Sequence, residues 1–152
     1  MPDDRRELIM RFCVASNIID ECYWRLSHDT AYSNSEVCLL YALNDGKLHS
    51  QKEISENWCI SKTTLNTTVK KLESNGFIEL KKIEDKKREK KIVLTESGKA
   101  LAERLLKDMY RAENFTMDET MKKYPDFVDA IEYWSALFKT KIDEIKEEKS
   151  NE

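Results

Sequence analysis

Glycine and proline are scarce in this chain of 152 residues, which holds three of the first and two of the second. So few turn-formers disfavour a many-stranded sandwich or barrel, whose frequent tight turns depend on them. The two histidines, His28 and His49, share no ligand spacing with the four cysteines, Cys13, Cys22, Cys38 and Cys59, and no Cys-x-x-Cys pair occurs. A structural zinc site is therefore not expected. Neither a Ser/His/Asp nor a Cys/His set can be assembled, and there is no glycine-rich phosphate loop, so we expect no enzyme, no metal and no cofactor. No run of 18 apolar residues is present, which excludes a membrane-spanning helix. The first residues are charged and lack the apolar stretch of a secretory signal, so the expected compartment is the cytoplasm. In that reducing setting the isolated cysteines read as small buried hydrophobes.

What is present is a helix former's composition, 40% hydrophobic and 36% charged, enough for one compact domain with an added helical layer. The net charge of −3 does not favour nucleic acid, but its distribution does. Residues 47–91 carry twelve Lys/Arg against seven Asp/Glu, a local +5, which leaves −8 on the remainder of the chain. A basic middle between acidic ends is the footprint of a phosphate-binding surface on an acidic scaffold.

Along the chain, Leu8, Phe12, Ala15, Ile19, Cys22 and Leu26 recur in steps of four and three, predicting one long amphipathic helix over 4–28. A helix this long in so small a protein suits an element packed against its own domain and a second copy of the chain. Two capping boxes, Ser33-x-x-Glu36 and Ser50-x-x-Glu53, each open a further helix. Ser61 is the natural N-cap of another, with Leu65, Val69 and Leu72 inward and Asn75-Gly76 as its stop. Phe77–Leu80 and Lys90–Leu94 read as two strands around a charged hairpin tip. Thr95 starts a helix through Met109, a separate cap at Thr116 predicts a short piece ending near Pro125, and a last helix covers 126–149.

A short helix, a turn and a capped second helix with a polar outer face make a helix-turn-helix, and the ribbon after it is a wing. The outer side of the second helix offers Lys62, Thr63, Asn66, Thr67, Lys70 and Lys71, groups able to meet base edges or phosphates in a major groove about 12 Å wide. The expected fold is mostly α (α+β): a winged helix-turn-helix DNA-binding lobe over 33–95, a dimerisation helix over 1–32, and helices over 96–152 completing the dimer region. Used without DNA, the same fold could serve as a protein–protein interaction module, which is the alternative reading.

The stretch Ile60-Ser61-Lys62-Thr63-Thr64-Leu65 leading to Leu72-Glu73-Ser74-Asn75-Gly76-Phe77-Ile78 resembles the recognition helix of the multiple-antibiotic-resistance regulator (MarR) family. Arg88 followed by Leu94-Thr95-Glu96-Ser97-Gly98 resembles that family's wing and exit, and the similarity extends over about residues 33–106. The resemblance implies a homodimeric transcriptional regulator, more often a repressor, on a pseudo-palindromic double-stranded operator. It places each recognition helix in a major groove and Arg88 in a minor groove, where a narrow groove's negative potential favours arginine. Thr63, Asn66 and Thr67 would then specify bases, Lys62, Lys70, Lys71 and Lys87 would meet phosphate, and Ser61 and Thr64 would contact DNA beside them.

The chain departs from the family at the wing, where Lys86 stands in place of an aspartate and the nearest acid is Asp85, and at Thr67, where many members carry a basic residue. Both departures bear on the operator. Family members often bind aromatic anions between dimer helices and DNA-binding lobe, which would make Tyr23, Trp24, Tyr32 and Trp58 an effector pocket, with core or interface packing as the alternative for each. Some relatives use a first-helix cysteine as an oxidant sensor, a role Cys13 or Cys22 would take here. Cys59, in the turn where the family often has glycine, reads as packing.

Overall fold

The computed structural model describes residues 3–83 and 86–150. The chain divides into two compact units, Met1–Met109 and Tyr110–Glu152. The elements in order are α1 (Asp3–His28), α2 (Asn34–Leu43), β1 (His49–Ser50), α3 (Gln51–Asn57), α4 (Lys62–Ser74), β2 (Ile78–Ile83), β3 (Lys86–Leu94), α5 (Glu96–Lys123) and α6 (Phe127–Ser150).

In the first unit the helix starts follow the sequence signals closely. Both capping boxes form: the Ser33 and Ser50 hydroxyls accept from the N–H groups of Glu36 and Glu53, whose side chains reach back to the serine backbones. Ser61 caps α4 through Thr64 N–H at 3.2 Å. Gly76, at φ 75°, takes the left-handed conformation that ends α4. Leu39 and Leu40 of α2, Ile54 of α3, Leu65, Val69 and Leu72 of α4, Ile92 of β3 and Leu106 of α5 form the core. Burial of each such side chain stabilises by about 1.5–3 kcal/mol relative to exposure.

The sheet has the order β1-β3-β2. β2 and β3 are antiparallel from Ile78↔Leu94 to Lys82↔Lys90, with a register shift after Lys82. Both strands outrun the predicted ones because backbone pairing continues along a two-stranded ribbon whatever the side chains are. β1, which alternation over two residues could not reveal, pairs His49 with Ile92 and Ser50 with Lys91. It ties the base of the ribbon to the start of α3.

Three expectations fail. The helix break at Thr116 is absent, since α5 continues to Lys123; no glycine or proline lies between Gly98 and Pro125 to stop it, and a threonine inside a helix does not do so alone. The cysteines are not small core residues: Cys13, Cys22 and Cys59 are exposed and only Cys38 is half-buried, where burial pushes its thiol up. Cys59 is also no packing residue: it is exposed, and its φ of 50° places it in the left-handed region at the turn. That conformation, natural to glycine, costs other residues about 1–2 kcal/mol.

α1 carries apolar side chains beyond the predicted stripe. Met10, Val14 and Ile18 lie off the predicted stripe, yet they and Leu8, Ile19 and Trp24 are exposed. Its end is held by Ser27, which is buried and donates to Asn34 Oδ1 at 3.1 Å. In the second unit α6 buries none of its residues, although Ile131, Trp134, Leu137 and Phe138 recur at helical spacing. No helix among the described residues is long and apolar enough to cross a membrane.

Candidate nucleic-acid interface

α4 buries Leu65, Thr68, Val69 and Leu72 and exposes Thr63, Asn66, Thr67 and Lys70 on the opposite side. The exposed face follows from the 3.6-residue period: every inward position is filled by an apolar residue or by a threonine whose hydroxyl is satisfied in the helix. Thr68 donates to the Thr64 carbonyl at 2.9 Å and Thr67 to the Thr63 carbonyl at 3.1 Å. Thr67 thus keeps an exposed side chain whose hydroxyl proton is engaged within the helix and whose oxygen can still accept. That surface is suited to a thymine methyl or a base amino group, in place of the basic side chain of many family members.

Not every predicted contact lies on this face. The Ser61 hydroxyl caps α4 and lies 2.8 Å from the Thr64 hydroxyl, so these two residues are engaged with one another at the helix start. Lys71 turns to the edge facing α2 and pairs with Glu36 Oε2 at 2.8 Å. Lys62 and Lys70 have no ion-pair partner among the described residues. Lys87 and Arg88 lie on β3, beyond the part of the ribbon whose side chains are described, and Asp85 lies outside the described residues.

Two carboxylates that the motifs assigned only to capping also join elements together. Glu36 is 1% exposed, and Lys71, Ser33 N–H and the Ser33 hydroxyl all converge on its Oε2. Burial raises its pKa, but the Lys71 and Ser33 bonds outweigh that and hold it below the usual carboxylate range. Glu53 receives Lys91 of β3 at 2.7 and 2.9 Å. Chiefly through Lys91, and then through Ser50, its pKa is drawn down from 4.5 to about 2. A folded-state pKa below the unfolded one contributes stability that is present above about pH 4.5 and lost as pH falls towards 2. The urea midpoint should therefore drop through that window, and Glu53→Gln should flatten the drop. An identical pH profile for the variant would show that the Lys91 pair does not stabilise the fold.

The predicted effector residues do not share one ring cluster. Trp24 meets His28 at 4.5 Å between centroids, Tyr32 meets Phe77 at 6.3 Å, and Trp58 meets Tyr41 at 5.3 Å. Tyr23 stays largely exposed beside Trp24 on α1. Two shallow grooves flank the core: one of about 430 Å³ between the start of α2 and α4, and one of about 350 Å³ beside β3 and the start of α5. None of these four aromatics lines either groove. Cys13 and Cys22 are accessible on α1.

A capped helix pair followed by a two-stranded antiparallel ribbon, closed by a third short strand, defines a winged helix-turn-helix protein. Residues 33–90 match the model of the MarR family. The fold extends the likeness over most of the chain. NMB1585, a MarR-family regulator from Neisseria meningitidis, is 23% identical with a TM-score of 0.65, over 91% of this chain and 96% of its own. AbfR of Staphylococcus epidermidis is 17% identical with a TM-score of 0.71, over 91% and 99%. Its reduced form bound to DNA gives 19% and 0.61 over 88% and 99%. NadR in complex with 4-hydroxyphenylacetate is 16% identical with a TM-score of 0.64, over 80% of this chain and 89% of its own. No curated protein matches the chain in sequence.

Proposed function

We propose that this protein is a cytoplasmic, homodimeric, sequence-specific DNA-binding transcriptional regulator, and not an enzyme. In this reading it represses by occupying a pseudo-palindromic operator, and a small aromatic or anionic molecule or an oxidant alters its grip on DNA. The observation that carries the reading is the outer face of α4. A short helix supported from behind by Leu65, Val69 and Leu72 exposes hydroxyls, an amide and the ammonium of Lys70, which has no ion-pair partner among the described residues. It stands beside a lysine-rich ribbon in the basic third of an acidic chain. No apolar patch on that face asks for a protein partner.

The exposed apolar side chains of α1 and α6 support the dimer, because a run of large apolar side chains left in water marks a surface that a partner covers. Two copies would present two α4 helices to half-sites about one helical turn apart. Reduced AbfR is bound to DNA and NadR binds 4-hydroxyphenylacetate; in this chain Cys13, exposed on α1 off its apolar stripe, supplies a thiol for an oxidant, and Cys22, on the stripe, does so where a second copy leaves it uncovered.

The test is a gel-shift titration on duplex DNA selected by the protein from a random pool, repeated across salt concentrations. Specific binding should fall steeply with salt as phosphate contacts release counterions. Arg88→Ala should weaken it by about 1–3 kcal/mol. Failure to select any duplex would refute the reading and favour the protein-interaction alternative, whereas an unaffected Arg88→Ala would refute only the wing contact.

A further inference from the structure

Within the DNA-binding reading, on which this inference rests, we propose that Glu36 and Lys71 are positioning residues for the recognition helix, and that Lys71 is not a phosphate contact. A capping box needs a side-chain acceptor at Glu36, and a glutamine would serve equally well. Neither the charge nor its depth is explained by capping. A carboxylate only 1% exposed is costly unless a cation meets it, and Lys71, 35 residues further on, is that cation.

The anchor is itself fixed. Ser33 holds Glu36 Oε2 with two bonds, from its N–H at 3.0 Å and its hydroxyl at 2.7 Å, so the oxygen that receives Lys71 cannot swing away. Other lysine–glutamate pairs of this chain, such as Lys99–Glu96, Lys122–Glu119 and Lys141–Glu144, join exposed neighbours in one helical turn and tie no elements together. Glu36–Lys71 joins α2 to α4 across the polar groove formed by Ser33, Ser35, Thr64 and Thr68. On this edge of α4 the ion pair is the link to α2. The same device recurs where the capping-box Glu53 holds Lys91 of β3. Both elements expected to touch DNA are thus held by a capping glutamate, and two lysines of the basic segment are ion-paired within the chain.

A phosphate contact and a positioning residue differ in what their loss does. Removing a phosphate contact weakens binding uniformly across sequences and lowers the salt slope by about 1. Removing a positioning residue tilts α4, so discrimination falls while the electrostatic part of binding persists. The experiment measures binding to the selected duplex and to a scrambled one across salt for the wild type, Lys70→Met, Lys71→Met, Lys71→Arg, Glu36→Gln and the double variant Glu36→Gln/Lys71→Met.

Lys70→Met should lower the slope by about 1 and weaken both duplexes. Lys71→Met and Glu36→Gln should each weaken only the selected duplex, by about tenfold, with the slope unchanged. The double variant should be no worse than either single one, the signature of residues acting as a unit, and Lys71→Arg should keep near-normal affinity. Should Lys71→Met fail to fold, Glu36→Gln, which keeps the cap, carries the same comparison. A lowered slope and equal weakening of both duplexes in Lys71→Met, or normal discrimination in Glu36→Gln, would overturn the proposal. Wild-type protein that retains no duplex at all would overturn the DNA-binding reading itself, and this inference with it.

Discussion

Gly98→Ala is expected to lower the stability of the fold by about 3 kcal/mol, at the upper end of overpacking costs. The position lies in the first turn of α5, where a Cβ would collide with the Phe77 carbonyl oxygen and lie 2.8 Å from the carbonyl carbon. The obstacle is backbone, so no rotamer change relieves it. Phe77 cannot retreat either, because Thr95 N–H donates to the same carbonyl at 3.1 Å. The adjacent Gly76 carbonyl accepts from the Thr95 and Ser97 hydroxyls at 2.7 and 2.8 Å. These bonds join the end of α4 to the start of α5 across the base of the ribbon. For a chain of this size the loss corresponds to a melting temperature lower by about 6–12 °C. Thermal and urea unfolding of the variant give the value, and a shift within about 0.5 kcal/mol of wild type would mean that the two backbones separate freely.

Leu137→Glu on α6 is expected to convert the proposed dimer to monomer and to lower DNA affinity at least a hundredfold. Leu137 is 54% exposed within its own chain. At such a site a monomeric protein tolerates a charged substitution within about 0.5 kcal/mol. Covered by a second copy, the same carboxylate would be buried without a partner in both protomers, at a cost of several kcal/mol per ion. Sedimentation and gel shift on the same preparation separate the cases. A variant still dimeric at wild-type concentrations would remove this face from the interface. One that becomes monomeric yet binds the selected duplex undiminished would refute the need for two recognition helices on one operator.

The helix starts were legible in the sequence because capping is local chemistry. Ser33, Ser50 and Ser61 each satisfy N–H groups within three residues, and no distant contact is needed to recognise them. The period of α4 was equally legible, since Leu65, Val69 and Leu72 sit where the inward stripe requires. The family motif ended on Gly98 without giving a reason for a glycine there, and the Phe77 carbonyl supplies one. Thr116 misled because a capping residue is a capping residue only where something ends the preceding helix, and nothing does. The cysteines misled for the opposite reason: apolar periodicity in α1 marks a surface to be covered but does not say whether the same chain covers it.

Local side-chain chemistry and helical periodicity thus determined, from sequence alone, the capped helices, the inward stripe of α4 and the concentration of positive charge around the ribbon. Tertiary structure alone decided which of those charges are spent inside the protein. Lys70 and Lys71 are neighbours with the same side chain, and no local rule separates them. They diverge because successive residues of a helix point about 100° apart, which aims one outward and brings the other to a buried carboxylate on α2.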